Sequence, residues 1–256
     1  MRLLDHFASS GDWLFRRRSY LPLLLLPLVA LSLGHRAIDG AGRNLLWGVI
    51  CLAVALVGLG IRIVAVATAP GGTSERSTRD PRATALRTSG LYSIVRHPLY
   101  VANTLIALGL ALFSGTWYLP LIVLLFGLLY YERIGAREEQ FLEAKFGDEF
   151  REWANRVPAV LPAVRRYQRS SLGFGWKKVL RREFHALFVI GAGFFVLDVS
   201  EQLLARSPFR LDPFWTWVFV VTAIVFLVMS GLKKFTRVLS DHGDTVPVSV
   251  RPRQAG

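Results

Sequence analysis

The chain has 256 residues, of which 52% are hydrophobic and only 19% charged, and its mean hydropathy is +0.39. An ordinary soluble domain carries about 25% charged residues, so soluble globular, disordered, collagen-like and coiled-coil readings are excluded in favour of an integral membrane protein. The single cysteine, Cys51, excludes an intrachain disulfide and any cysteine-based zinc site.

The expected fold is all-α, a multi-pass bundle of about six transmembrane helices. Six apolar stretches follow one another at 20–33, 45–69, 98–113, 117–131, 184–205 and 214–232. A hydrocarbon core about 30 Å thick takes about 20 helical residues. The second, fifth and sixth stretches reach that length. The first, third and fourth fall short and must borrow flanking residues or sit in a thinned, protein-lined region. Ser114-Gly115-Thr116 leaves room only for a tight hairpin between antiparallel helices.

The net charge of +13 suggests nucleic acid until the cations are placed on this scheme. With the N-terminus on the cytoplasmic side, the inner segments 1–19, 70–97, 132–183 and 233–256 hold 26 Lys and Arg, the outer loops hold 4, and Arg62 lies within the second span. This is a strong positive-inside bias, and the charge is topological. No zinc spacing or RNP-like motif accompanies it, and neither nucleic acid nor a metal is expected as a partner. Arg17-Arg18 ahead of an apolar run imitates a twin-arginine export signal, but further spans follow and a cytoplasmic flank is the better reading. Residues 70–82 read as a polar linker and 240–256 as a frayed tail. Three regions are expected: an N-terminal transmembrane hairpin over 1–69, a core over 70–165, and a C-terminal hairpin with a cytoplasmic tail over 166–256.

Two segments concentrate unusual residues. In 84–103, Thr88-Ser89-Gly90 predicts a turn and Pro98 fits the first turn of a helix, where a missing N–H costs no hydrogen bond. Arg96, His97 and Tyr100 then meet at the membrane surface. In 130–162 the fourth span should run on as one helix past Glu139 and bend near Gly147, because 128–146 holds one glycine and no proline. Its carboxylates alternate with cations at spacings of three and four, beside an apolar stripe that includes Phe141, Phe146, Phe150 and Trp153.

Taken together, T-S-G-L-Y-x3-R-H-P-L-Y-V from Thr88 and E-E-x2-L-x3-F-G-x2-F-x2-W-x2-R-V-P-x2-L-P from Glu138 resemble the isoprenylcysteine carboxyl methyltransferases. That family belongs with the phospholipid methyltransferases in one membrane superfamily. The likeness covers residues 84–162, about a third of the chain. It implies transfer of a methyl group from S-adenosyl-L-methionine to a lipid headgroup or a lipid-tailed substrate, at a site facing the cytoplasm. It also implies cofactor contacts from Leu86, Tyr92, His97, Pro98, Leu99, Tyr100 and Glu138, with Arg133, Arg137 and Glu139 serving catalysis on the acceptor side. The prenylcysteine enzymes place an arginine four residues before the first glutamate of this pair, and Ile134 stands there instead. A prenylcysteine carboxyl O-methyltransferase is therefore the alternative, and a membrane scaffold without catalysis a further one. The expected partners are membrane lipids or a lipidated substrate.

Other polar or small residues within the spans carry less. Asp198 and Glu201 share a face of the fifth span and suggest a structural or water-facing role. Gly58-Leu59-Gly60 and Gly191-Ala192-Gly193 suggest helix packing.

Overall fold

A computed structural model describes residues 17, 20–39, 44–68, 85–170, 172–204 and 209–236. The expected linker 70–82, the tail 240–256 and most of the N-terminal flank lie outside the described residues. Among those described are seven α-helices: α1 Leu26–Asp39, α2 Leu45–Ala67, α3 Pro98–Phe113, α4 Tyr118–Phe146, α5 Asp148–Arg156, α6 Trp176–Leu204 and α7 Pro213–Phe235. The fold is all-α, and one isolated bridge, Gly90 to Gln168, is its extended pairing among these residues.

Helices α2, α4, α6 and α7 are long and apolar enough to cross a membrane, with shorter apolar helices at Leu23–His35 and Pro98–Phe113. The chain is a multi-pass integral membrane protein. Leu46, Val57, Leu129 and Leu227 stand exposed on these helices, which suits a hydrocarbon surround.

Helices α2 and α7 begin where a side chain relieves the unpaired N–H groups of the first turn. The Asn44 side chain accepts from Leu46 N, and Asp212 accepts from Phe214 N and Trp215 N ahead of Pro213. Pro98 opens α3 as expected, and Gly115 turns the chain between α3 and α4 at φ 70°. Helix α4 runs 29 residues, past Glu139, and ends at Gly147 with φ 55°. The expected fourth stretch thus becomes a full-length helix, because hydropathy marks only the part in hydrocarbon while the backbone continues until a residue breaks it. The fifth behaves likewise. Helix α6 starts at Trp176 rather than near residue 184, so Glu183 lies inside a helix and is buried.

Close backbone contact joins α2 to α3. A Cβ added at Gly58 would stand 2.6 Å from Ala102 O, and one at Gly109 would stand 2.7 Å from Cys51 O. At Gly191 it would stand against the Thr222 side chain, so α6 and α7 pack the same way. Gly60, by contrast, faces open space. Four helices then meet on one aromatic core. Phe194 stacks on Trp215 at 5.1 Å, and Phe113 meets both rings edge-on at 5.2 and 4.9 Å, over Cys51 and Ala55. Helix α1 rests on α6 and touches α4. The α3–α4 hairpin is left with its polar ends, His97 and Glu138, at one end of the bundle.

Candidate active site

Residues 90–97 approach α3 through a bridge at Gly90, a 3-10 turn over Leu91–Ser93 and a bend, and they are held from two sides. Arg96 N donates to Pro158 O and Ala163 N to Ile94 O, both at 2.9 Å. Gln168 N donates to Ser93 Oγ at 2.8 Å, and Trp153 Nε1 to Tyr92 O at 3.0 Å. The chain that follows α5 therefore braces the approach to His97. Arg151 stiffens the α4–α5 corner through Glu143 at 2.7 Å and Asp148 at 3.0 Å, and these carboxylates, Glu143 first, raise the guanidinium pKa.

This segment delivers Arg96 and His97 to the face of α4 that carries Glu138 and Glu139. Arg96 Nη1 donates to Glu139 Oε2 at 2.7 Å, and His97 Nε2 lies 2.8 Å from Glu139 Oε1. A carboxylate only accepts, so Nε2 is the donor in this contact. His97 Nδ1 is 3.8 Å from Glu138 Oε2, beyond hydrogen-bond reach. The Tyr100 hydroxyl donates to Glu138 Oε1 at 2.5 Å, leaving Oε2 for a further donor. Glu138 and Glu139 are 27% and 24% exposed, so both remain reachable from outside.

Gly135 makes this contact possible. A Cβ there would stand 3.1 Å from His97 Nε2, tight enough that the ring would have to move. The aromatic rings then continue inward along the α3–α4 seam. His97 stacks on Tyr100 at 5.3 Å, Tyr100 on Tyr131 at 4.5 Å, and Tyr130 meets Tyr131 edge-on at 5.1 Å. The site thus has two carboxylates at its mouth and a file of π faces behind them.

Of the residues singled out in the sequence, His97, Tyr100, Glu138 and Glu139 come together here. Pro98 is fully buried at the start of α3 beside them, and Leu99 is half-buried. Leu86 and Tyr92 lie apart, packed against the cluster of Phe150, Trp153 and Val157 under α5. Arg87 adds to that cluster, donating to the Tyr92 hydroxyl at 3.2 Å. Arg133 and Arg137 are half-buried on α4. Each is two residues from Gly135, about 160° around the helix from the side that faces His97.

Sequence reasoning gave no role in the site to Tyr131 or Gly135, and it grouped Arg96 with His97 and Tyr100 at the membrane surface without assigning it one. The lone glycine four residues before Glu139, on the same face, was the available signal. A second polar cluster was missed altogether. Arg62 on α2 grips Glu183 on α6 through Nε at 2.7 Å and Nη2 at 3.1 Å, and its Nη1 donates to Asn103 Oδ1 at 2.5 Å. Asn103 lies one helical turn beyond Tyr100 on α3.

Comparison with known proteins shows what this membrane-embedded hairpin, with carboxylates and aromatic rings at its mouth, is similar to. Residues 49–149 match the family model of phospholipid methyltransferases, and this core of the chain is related to them and to isoprenylcysteine O-methyltransferase. That is a family of S-adenosylmethionine-dependent membrane methyltransferases. The chain is 40% identical over 86 residues to the cobalt-zinc-cadmium resistance protein CzcN of Cupriavidus metallidurans, covering 34% of this chain and 39% of that one. It is 31% identical over 144 residues to the nickel-cobalt-cadmium resistance protein NccN of Alcaligenes xylosoxydans xylosoxydans, covering 56% and 63%. It is 34% identical over 82 residues to the protein-S-isoprenylcysteine O-methyltransferase of Schizosaccharomyces pombe, covering 31% and 34%. The chain therefore spans less than two thirds of the length of each of these relatives. No solved structure matches it.

The donor set suits the family's cofactor. A sulfonium and an ammonium group are cations, and the site offers Glu138 Oε2 together with aromatic faces. Among the described residues no group of three His, Cys, Asp or Glu side chains is placed to hold a metal ion.

Proposed function

We propose that this protein is an S-adenosylmethionine-dependent methyltransferase that acts within the membrane on a lipid headgroup or lipid-tailed substrate. In this reading the site faces the cytoplasm, and membrane lipids are its partners. The observation that carries it is the Arg96–Glu139–His97 and Glu138–Tyr100 network at the mouth of the α3–α4 hairpin, inside the stretch that matches the family model.

When bound, S-adenosylmethionine supplies a methyl group already activated on its sulfonium, which needs no covalent enzyme intermediate. The protein's own task is position and exclusion of water, and good alignment alone is worth about 7–11 kcal/mol of a bimolecular barrier. Glu138, steadied by the Tyr100 hydroxyl, holds a cationic group through Oε2. Arg96 and Glu139 fix the His97 ring with Nδ1 on the Glu138 side of the site. The rings of Tyr100 and Tyr131 wall the site against water on its inner side. Exposed Leu125 and Leu129, farther along α4 toward Tyr118, offer a hydrocarbon flank along which an acyl chain can lie.

A lipid headgroup ranks ahead of a prenylated cysteine for a specific reason. Ile134, where the prenylcysteine enzymes place an arginine, is completely buried against Tyr130. A guanidinium there would have to displace packed hydrocarbon, so the usual carboxylate-orienting pose has no counterpart.

Isothermal titration of the purified protein with S-adenosylmethionine tests the cofactor reading. Absence of binding at millimolar cofactor, the upper end of ordinary Michaelis constants, would leave the membrane scaffold as the surviving reading. Lipidomics of cells with and without the gene, fed a deuterated methyl donor, tests the acceptor. Label in a membrane lipid is expected, and label confined to carboxyl-methylated prenyl protein would overturn the ranking. Two relatives are named for metal resistance, so growth of the same cells on cobalt, zinc and cadmium salts asks whether that role is shared.

A further inference from the structure

Between Glu152 and Glu183 the chain has eight cations and no carboxylate. The same stretch exposes apolar side chains well above what water favours: Leu161 is 80% exposed, Val164 69% and Trp176 66%. Arg165, Arg166 and Arg169 are exposed among them. An exposed aliphatic group gains nothing from a soluble polyanion, and an exposed guanidinium gains nothing from hydrocarbon. Only a surface offering both, charge above and hydrocarbon below, satisfies the pattern.

The stretch lies where such a surface would be. Gly175 N donates to Ala67 O, which ties its end to the end of α2 at 3.0 Å, and α6 begins at the next residue. Its beginning runs beside residues 90–96, which lead into Pro98 and α3. Helices α2, α3 and α6 therefore each have an end beside the stretch.

We infer that residues 156–182 form a binding surface for anionic phospholipid headgroups of the bilayer the protein itself spans. Arg165, Arg166 and Arg169 meet the phosphates, while Leu161, Val164 and Trp176 enter the outermost hydrocarbon. This surface adjoins the methyl-transfer site through Pro158, Ala163 and Gln168 but presents other side chains and needs no cofactor to act.

The test uses the full chain in nanodiscs of phosphatidylcholine, with either brominated phosphatidylglycerol or brominated phosphatidylcholine added at equal mole fraction. Trp176→Phe isolates the contribution of that indole to quenching from the other six tryptophans. We expect brominated phosphatidylglycerol to quench Trp176 at far lower mole fraction than brominated phosphatidylcholine. In R165Q/R166Q/R169Q that preference should weaken about a hundredfold, at about 1 kcal/mol per cation and tenfold per 1.4 kcal/mol. R165K/R166K/R169K should keep it, since charge is retained. Equal quenching by the two lipids, or an undiminished preference in the glutamine variant, would overturn the inference. So would an oligonucleotide or acidic peptide that binds this surface and is not displaced by phosphatidylglycerol. Loss of S-adenosylmethionine binding has no bearing on any of these readings, so the two proposals fail separately.

Discussion

The molecule holds two ion-paired clusters close together on α3, and they are built for opposite purposes. At Arg62–Glu183–Asn103 the carboxylate is 4% exposed, both of its oxygens are taken by one guanidinium, and the third helix supplies an amide to the remaining nitrogen. At Arg96–His97–Glu139 and Tyr100–Glu138 the carboxylates are about a quarter exposed, and Glu138 keeps an oxygen for another donor. Engaging all three guanidinium nitrogens and both carboxylate oxygens turns the first cluster into a strut that pins α6 to α2 and α3. Leaving one acceptor open turns the second into a site. Burial alone does not separate a structural charge from a functional one. The count of unspent hydrogen bonds does.

Breaking the strut should have the largest effect. Glu183→Ala leaves the Arg62 charge inside the bundle without its partner, which should cost about 3–5 kcal/mol of stability. Thermal unfolding of the purified protein in detergent measures this, and R62M/E183M should recover most of the loss, because removing both charges removes the penalty. A single variant as stable as wild type would show that water already reaches Arg62. Substitutions in the open cluster should act on binding instead. Glu138→Ala and His97→Ala are each expected to weaken S-adenosylmethionine binding about tenfold to a hundredfold, the worth of a charge-assisted hydrogen bond. They should also abolish methyl transfer, with an unfolding temperature near that of the wild type. Wild-type turnover in Glu138→Ala would remove that residue from the site.

Gly135→Ala sharpens the contrast further, since it adds one methyl group 3.1 Å from His97 Nε2 and touches no charge. About 1 kcal/mol, the low end of overpacking costs, should appear as weaker cofactor binding in titration rather than as lost stability. The smallest effect is expected at Asp198→Asn. Asp198 is completely buried on α6 and accepts from Gln202 at 2.9 Å, beyond the Phe194–Trp215 core from the site. Cofactor affinity should not change. If it does, the two ends of the bundle are coupled in a way their packing does not suggest.

Much of the site region was legible in one dimension because its signals are local. Pro98 after His97, the three-residue turn at Ser114 and the glycine at 147 each act on their own backbone, and each ends or begins a helix where expected. The pairing of His97 with Glu139 was less accessible, since the two are 42 residues apart and several carboxylates of α4 competed for the role. Glu183 was read as part of a cytoplasmic segment for a related reason. Four basic residues and a glutamate at 177–178 and 181–183 lower the hydropathy, yet nothing there stops a helix.

What the sequence determined by itself is the class and the scaffold. Hydropathy specifies membrane helices because the cost of exposing apolar surface to water sums residue by residue, and helix ends follow from proline, glycine and capping side chains that act within a turn. What only the tertiary structure decided is which polar residues meet. The Arg62–Glu183 pair spans 121 residues, and the approach of His97 to α4 depends on the missing Cβ at Gly135. Such contacts are set by how helices pack, through close-approach positions such as Gly58 and Gly109, and helix phase alone places Arg133 and Arg137 on a different side of α4 from the carboxylate network. Charge that is spent and charge that is available look alike in one dimension, because the partner that spends it arrives from a distant part of the chain.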